Sequence, residues 1–135
     1  VYRRIVNEKY ILPFNARHRW TSAWSYKPLH DKFHIDINFH YTGKQRLPDT
    51  RSNPEQYRRP DFSENYMIMN AQFTYSFRIF ELYTGCENIF DFRQLRPINA
   101  WQDPFGPYFD TSMVWGPTRG RELYAGIRLK LKYKS

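Results

Sequence analysis

Three groups of side chains in this chain have the types and spacing to do chemistry. His34, Asp36 and His40 fall on even positions of one alternating run, so a strand would present all three on one face. Imidazole and carboxylate are ligands for zinc or copper. A single strand offers poor tetrahedral geometry and no cysteine joins the set, so the expected role is a hydrated polar wall, with no metal. The second group is the stretch 99–115, which holds Trp101, Phe105, Tyr108, Phe109 and Trp115 with only Asp103 and Asp110 charged. A loop so aromatic should not lie free in water. Its rings either fold over an interior and give stacking surface to a ligand, or pack the loop against itself, which is the commoner outcome. The third is Arg17, Arg19, Arg128 and Lys130, suited to an anionic ligand or lipid head groups, or to pairing with Glu81, Glu87 and Glu122 across strands. Pairing is the expected use. The ligand-binding candidates are therefore Trp101, Phe105, Tyr108, Phe109, Trp115 and Arg128.

No catalytic constellation stands beside them. There is no HExxH and no glycine-rich phosphate loop, and nothing in the spacing brings Ser, His and Asp together. The expectation is a protein without enzymatic activity, cofactor or metal. Cys86 is the sole cysteine, so no internal disulfide forms, and it is expected to be inert. His18 is assigned no role.

The elements that must carry these groups are strands. In the final stretch, RGRELYAGIRLKLKYK, Leu123, Ala125, Ile127, Leu129, Leu131 and Tyr133 alternate with Glu122, Tyr124, Gly126, Arg128, Lys130 and Lys132. The run predicts a strand of about a dozen residues, against the roughly nine to eleven a tilted strand needs to cross a bilayer. Residues 15–27, 33–42, 66–77 and 80–90 alternate in the same way, with a bulge expected near Asn88 to Asp91. The apolar sets are Ala16 to Tyr26, Phe33 to Tyr41, Met67 to Phe77, Phe80 to Asn88 and Leu123 to Tyr133, taking every second residue. None of these positions is Asp, Glu, Lys or Arg, although such residues make up 25% of the chain. A Lys or Arg facing lipid costs about 2–4 kcal/mol at the midplane, so a lipid-facing wall explains the exclusion. The connections run short, long, short, long: 28–32, 43–65, near 78, and 91–118. Short periplasmic turns and longer outer loops give that order. Tyr26, Phe33, Phe77, Phe80 and Tyr133 then gather at the short-turn end, as an interfacial aromatic girdle would.

Composition agrees with this and narrows it. A mean hydropathy of −0.80 and the lack of any run near 20 apolar residues exclude a helical membrane protein. They do not exclude a β-barrel wall, where every second residue faces the lumen. The 21 Lys and Arg against 13 Asp and Glu give a net charge of +8, but the cations are spread along the chain. The alternative reading is a soluble basic β-domain that binds nucleic acid through exposed aromatics, with affinity falling steeply as salt rises. A soluble sandwich would seal Ile37, Phe73 and Ile127 into one protein centre; a barrel wall would not. The opening, VYRRIVNEKY, has no apolar signal core and no initiating Met, which suggests a mature or truncated chain.

The stretches LPFNARHRWTSAWSY, GKQRLP, ENIFDFRQ (Glu87 to Gln94) and GRELYAGIR (Gly120 to Arg128), in that order, resemble the C-terminal barrel region of TonB-dependent outer-membrane receptors. The likeness spans Leu12 to Leu131. It implies an all-β, antiparallel up-and-down meander of about five long strands, an open fragment of a transmembrane β-barrel of roughly 22 strands with a plugged lumen. Residues 1–135 then form part of that barrel, with the plug domain outside them, because five strands are too few to close one. The implied function is active uptake of a scarce nutrient: a siderophore or other metal chelate, a vitamin or a glycan. Outer loops and plug capture the ligand, and the plug is displaced by energy from the inner membrane. The implied location is the outer membrane of a Gram-negative type of cell. The implied partners are outer-membrane lipid, TonB acting through the plug region and the small nutrient, and no nucleic acid; docking of a lid lipoprotein is left open.

Overall fold

Strict alternation of aromatic or β-branched residues with polar ones favours extended backbone and strand pairing. A computed structural model describes residues 12–28 and 32–130 of the chain. It contains five strands: β1 (Arg19–Tyr26), β2 (Phe33–Thr42), β3 (Tyr66–Ser76), β4 (Phe80–Glu87) and β5 (Glu122–Leu129). They form one antiparallel sheet in sequence order, β1-β2-β3-β4-β5, so the predicted meander is present. The sheet is not closed, and β1 and β5 are its edges. The one helical element among the described residues is a single 3-10 turn at Glu55–Tyr57.

The pairing register brings the predicted apolar sets onto a single face. Trp24 stands opposite Ile37, Ile37 opposite Ala71, Ala71 opposite Cys86 and Cys86 opposite Leu123. One row down, Tyr26, Ile35, Phe73, Thr84 and Ala125 line up in the same way. No acidic or basic side chain falls in these rows. The opposite face carries Ser25, Asp36, Gln72, Gly85 and Tyr124 as successive partners.

β2 has the bounds its alternation predicts and β3 is one residue shorter, whereas β1 and β4 are clearly shorter than predicted. β2 and β3 have 10 and 11 residues, while β1, β4 and β5 have 8 each. The first is predicted from residue 15, yet Arg17 and His18 precede β1 and the pairing there is reduced to an isolated Ala16–Gln45 bridge. The fourth is predicted to run to residue 90 with a bulge, but it ends at Glu87. Asn88 adopts the left-handed conformation with φ 48°, which turns the chain out of the sheet at a residue type that tolerates it. Past β5, Lys130 N still donates to Ile79 O at 2.9 Å. Leu131, Lys132, Tyr133 and Lys134 lie outside the described residues, and with them the predicted last third of that strand.

At the short-connection end four of the five predicted aromatics are described, and they pair as Tyr26 with Phe33 and Phe77 with Phe80; Tyr133 lies outside the described residues. Phe77 N donates to Phe80 O at 2.7 Å and closes the β3–β4 hairpin without glycine, proline or asparagine. Ring centroids lie 6.3 Å apart for Tyr26–Phe33, 6.1 Å for Phe33–Phe73 and 4.3 Å for Phe77–Phe80. At the other end the two long connections fold into a cap, and the buried residues gather there. Leu47, Ala100 and Met113 are the buried apolar side chains among the described residues. The uncharged face of the sheet buries none: Trp24 is 69% exposed, Ile127 67% and Phe73 41%.

Candidate functional site

The cap is built from two loops, 43–65 and 88–121, with no shared ladder to satisfy their backbones. Buried amide side chains take that place. Gln94 is the central one. Its Nε2 donates to Met113 O at 2.7 Å, and its Oε1 accepts from Trp115 N at 2.8 Å and Gly116 N at 3.1 Å. Asn88 donates to the carbonyls of Phe92 and Arg119 and accepts from Phe92 N. Gln45 Nε2 reaches Trp115 O, and Asn99 Nδ2 reaches Tyr57 O, so each loop holds the other. Asp91 accepts from Arg121 N at 2.8 Å and from Arg93 Nη2 at 3.0 Å. These bonds, the Arg121 amide first, hold the Asp91 carboxyl below its ordinary value. The ENIFDFRQ stretch thus supplies the turn residue Asn88, the charged clasp Asp91 and the buried amide Gln94.

The aromatic candidates split into two sets. Trp115 packs with Tyr66 and Phe92 at ring-centroid distances of 6.0 and 6.1 Å, and Tyr66 stacks on Phe92 at 5.0 Å. Tyr108 stacks on Tyr57 of the other loop at 5.3 Å. These two fasten the cap to the sheet and to itself, so their faces are largely taken. Trp101 is 59% exposed, Phe109 37%, and Phe105 entirely. The loop therefore does both things its composition allows, in different residues.

Arg128 goes to an ion pair, as do its neighbours. It lies 3.3 Å from Glu81 Oε2 and 5.7 Å from the centre of the Tyr83 ring, and Lys130 lies 2.8 Å from Glu81 Oε1. Arg119 pairs with Glu122 at 3.4 Å. Arg17 and Arg19 make no ion pair among the described residues, and Glu87 stands opposite Glu122 rather than a cation.

The polar face holds one association that spacing did not reveal. Ser25 Oγ lies 2.7 Å from His34 Nε2 and donates to Asp36 Oδ1 at 2.8 Å, and the same His34 nitrogen lies 3.1 Å from Asp36. The residues come together because Ser25 pairs with Asp36 across β1 and β2. A nucleophilic relay needs serine on one imidazole nitrogen and carboxylate on the other. Here both oxygens crowd Nε2 and the serine proton already goes to the carboxylate, so the three form a hydrogen-bonded knot rather than a relay. His40 is elsewhere, 3.4 Å from Thr21 Oγ1. No cluster of three metal-binding side chains occurs among the described residues.

Sequence reasoning also missed a basic pocket in the cap. Arg58, Arg59 and Arg96 line it together with Tyr57, Asn99 and Trp101. The available signal was the Arg58-Arg59 pair, but its third member lies in the other loop, and only the tertiary fold unites them.

No family model, curated protein or solved structure matches this chain. The resemblance to TonB-dependent receptors rests on the quoted stretches alone.

Proposed function

We propose that this chain is the C-terminal barrel portion of a TonB-dependent outer-membrane receptor that imports a scarce nutrient. The observation that carries the reading is the sheet's charge-free face: it runs across all five strands with no protein layer over it. Exposed apolar patches of that extent mark a surface meant for lipid or a partner. Lipid is the occupant that also accounts for the polar opposite face, with its Ser25–His34–Asp36 knot and its Glu81 ion pairs, which would line a wet interior. In this reading the cap lies on the outer side of the membrane, where ligand is captured, and β1 and β5 pair with the remaining strands of the barrel. A plug elsewhere in the receptor couples to TonB.

Trp fluorescence in vesicles of brominated lipid tests it. Trp20 and Trp24 are on the charge-free face, while Trp101 and Trp115 are in the cap. Single-tryptophan versions of the full chain, folded into such vesicles, should show strong quenching of Trp24 by bromine deep in the acyl chains and little for Trp101. Equal insensitivity of both would sink the proposal. The nucleic-acid alternative predicts instead that the chain stays out of vesicles and binds single strands with a steep salt dependence.

A further inference from the structure

Two of the cap's hollows differ in how their charges are used. The larger, of about 840 Å³, is lined by Arg96 and by Asp91 and Arg93, the last two bonded to each other. The smaller, of about 400 Å³, is lined by Arg58, Arg59 and Arg96 and by no acidic residue. Arg58 Nε donates to Asn53 O, and Arg59 Nη2 donates to Ile98 O at 3.1 Å. Arg59 Nε is buried and has no hydrogen-bond partner. Arg96 makes no hydrogen bond or ion pair among the described residues. Three guanidinium groups are therefore gathered with no carboxylate in the lining; Arg58 and Arg96 stay in water, and the buried, unpartnered Arg59 Nε is the group whose burial costs free energy unless an acceptor meets it.

Backbone strain marks the same place. Arg96 has φ 54° and Ala100 has φ 47°. Neither residue type favours the left-handed region, and Arg96 also precedes Pro97, where extended backbone is preferred. Elsewhere among the described residues the left-handed positions are Asn88 and Asp91, which tolerate it, and Phe14, outside the cap. The strained pair lines the pocket, and strain of this kind persists where surrounding structure fixes it for a purpose. Burial, and after it the positive charge of Arg96, holds the Arg59 guanidinium below its usual value, and an anion between the two would offset that repulsion.

We infer that this pocket binds a multiply charged oxyanion, a small molecule bearing carboxylate or phosphate groups, through the forks of Arg59 and Arg96, with Arg58 at its side and the Trp101 ring available to an apolar part of the ligand. Planar guanidinium forks match the two oxygens of such groups. The inference deepens the import reading by giving the ligand a chemical class, but it rests on the cap alone. Failure of the lipid test would leave it standing, and its own failure would leave import of a neutral nutrient open.

The test is calorimetric titration of the full chain in neutral detergent micelles with citrate and with inorganic pyrophosphate, using glucose as the uncharged control. Micelles doped with phosphatidylglycerol form a separate arm, because a lipid head group carries the same phosphate chemistry. Saturable binding of either soluble anion at one site is expected, weakened about tenfold or more by Arg96→Gln. Arg96→Lys should recover part of the loss, and Arg119→Gln, an exposed arginine outside the pocket, should leave affinity unchanged. Arg96 holds nothing else in the cap, so its variant should keep the near-ultraviolet dichroism of the parent. Absence of saturable binding at millimolar anion would overturn the inference. An equal loss in Arg119→Gln, or binding confined to the doped micelles, would do the same.

Discussion

The sheet and the cap satisfy their backbones by different means. In the sheet every strand borrows its neighbour's ladder, and hardly any side chain needs burial: Thr74 is the one buried residue within the strands. In the cap there is no ladder beyond isolated bridges such as Arg46–Phe62 and Asn99–Asp110, and the buried groups are mostly polar: Gln45, Thr50, Ser63, Asn88, Gln94 and Asn99. The contrast says what each region tolerates. The sheet's outer face should accept changes of size but reject charge. The cap should reject the loss of a single amide and be indifferent to its exposed rings.

The largest effect expected is on the sheet. Ala71→Arg places a cation at the centre of the charge-free face, between Ile37 and Cys86. It should cost about 2–4 kcal/mol in lipid vesicles, read as a shift of the urea midpoint. A cost within about 0.5 kcal/mol, the ordinary range for a surface change, would mean that the face meets water. Gln94→Ala is the matching test in the cap. It strands the Met113 carbonyl and the Trp115 and Gly116 amides. Losses of about 1–3 kcal/mol follow from unpaired buried groups, and hydrogen exchange at those two amides should accelerate while β3 stays protected.

A smaller effect separates two glycines of the polar face. Tyr124 lies over Gly85 and Tyr83 over Gly126, so each ring fills the space that a Cβ would occupy. A methyl group at Gly85 would also stand 2.9 Å from Ala71 O, whereas at Gly126 its three nearest neighbours would all be atoms of the Tyr83 side chain. Gly85→Ala should therefore cost about 1–3 kcal/mol, the range for overpacking, and Gly126→Ala less, because the Tyr83 ring can swing aside. Chemical denaturation of the two variants side by side settles the order.

Acid should act on the cap through Asp91. Its folded pKa lies below the unfolded value, so the stabilisation is present at neutral pH and is lost as pH falls through the ordinary carboxylate range and then the depressed folded value. Asp91→Asn should flatten this part of the acid limb, measured as cap exchange rates against pH. The smallest change expected is Phe105→Ala, within about 0.5 kcal/mol, since that ring touches nothing that burial would reward.

Much of this architecture was legible before any coordinates. Phe33 to Thr42 alternates so sharply that its bounds and facing follow from period two, and its pairing with β1 and β3 matches the hairpin order of the chain. Strand ends were less legible because they depend on local events such as the left-handed turn at Asn88. The aromatic loop was legible as packed or exposed but not residue by residue: Trp115 and Phe105 look alike in sequence, and only the position of Tyr66 and Phe92 separates them. ENIFDFRQ stood out as a likeness with no physical role attached, and Gln94 within it was missed.

The sheet could be read from adjacent residues, because a strand's two faces alternate along the chain and need no knowledge of what lies across the fold. The cap was settled only by the tertiary fold, which picks the amide that is buried and brings Arg96 to Arg58 and Arg59. Those associations join residues far apart in the chain through irregular backbone, where no period relates one position to the next.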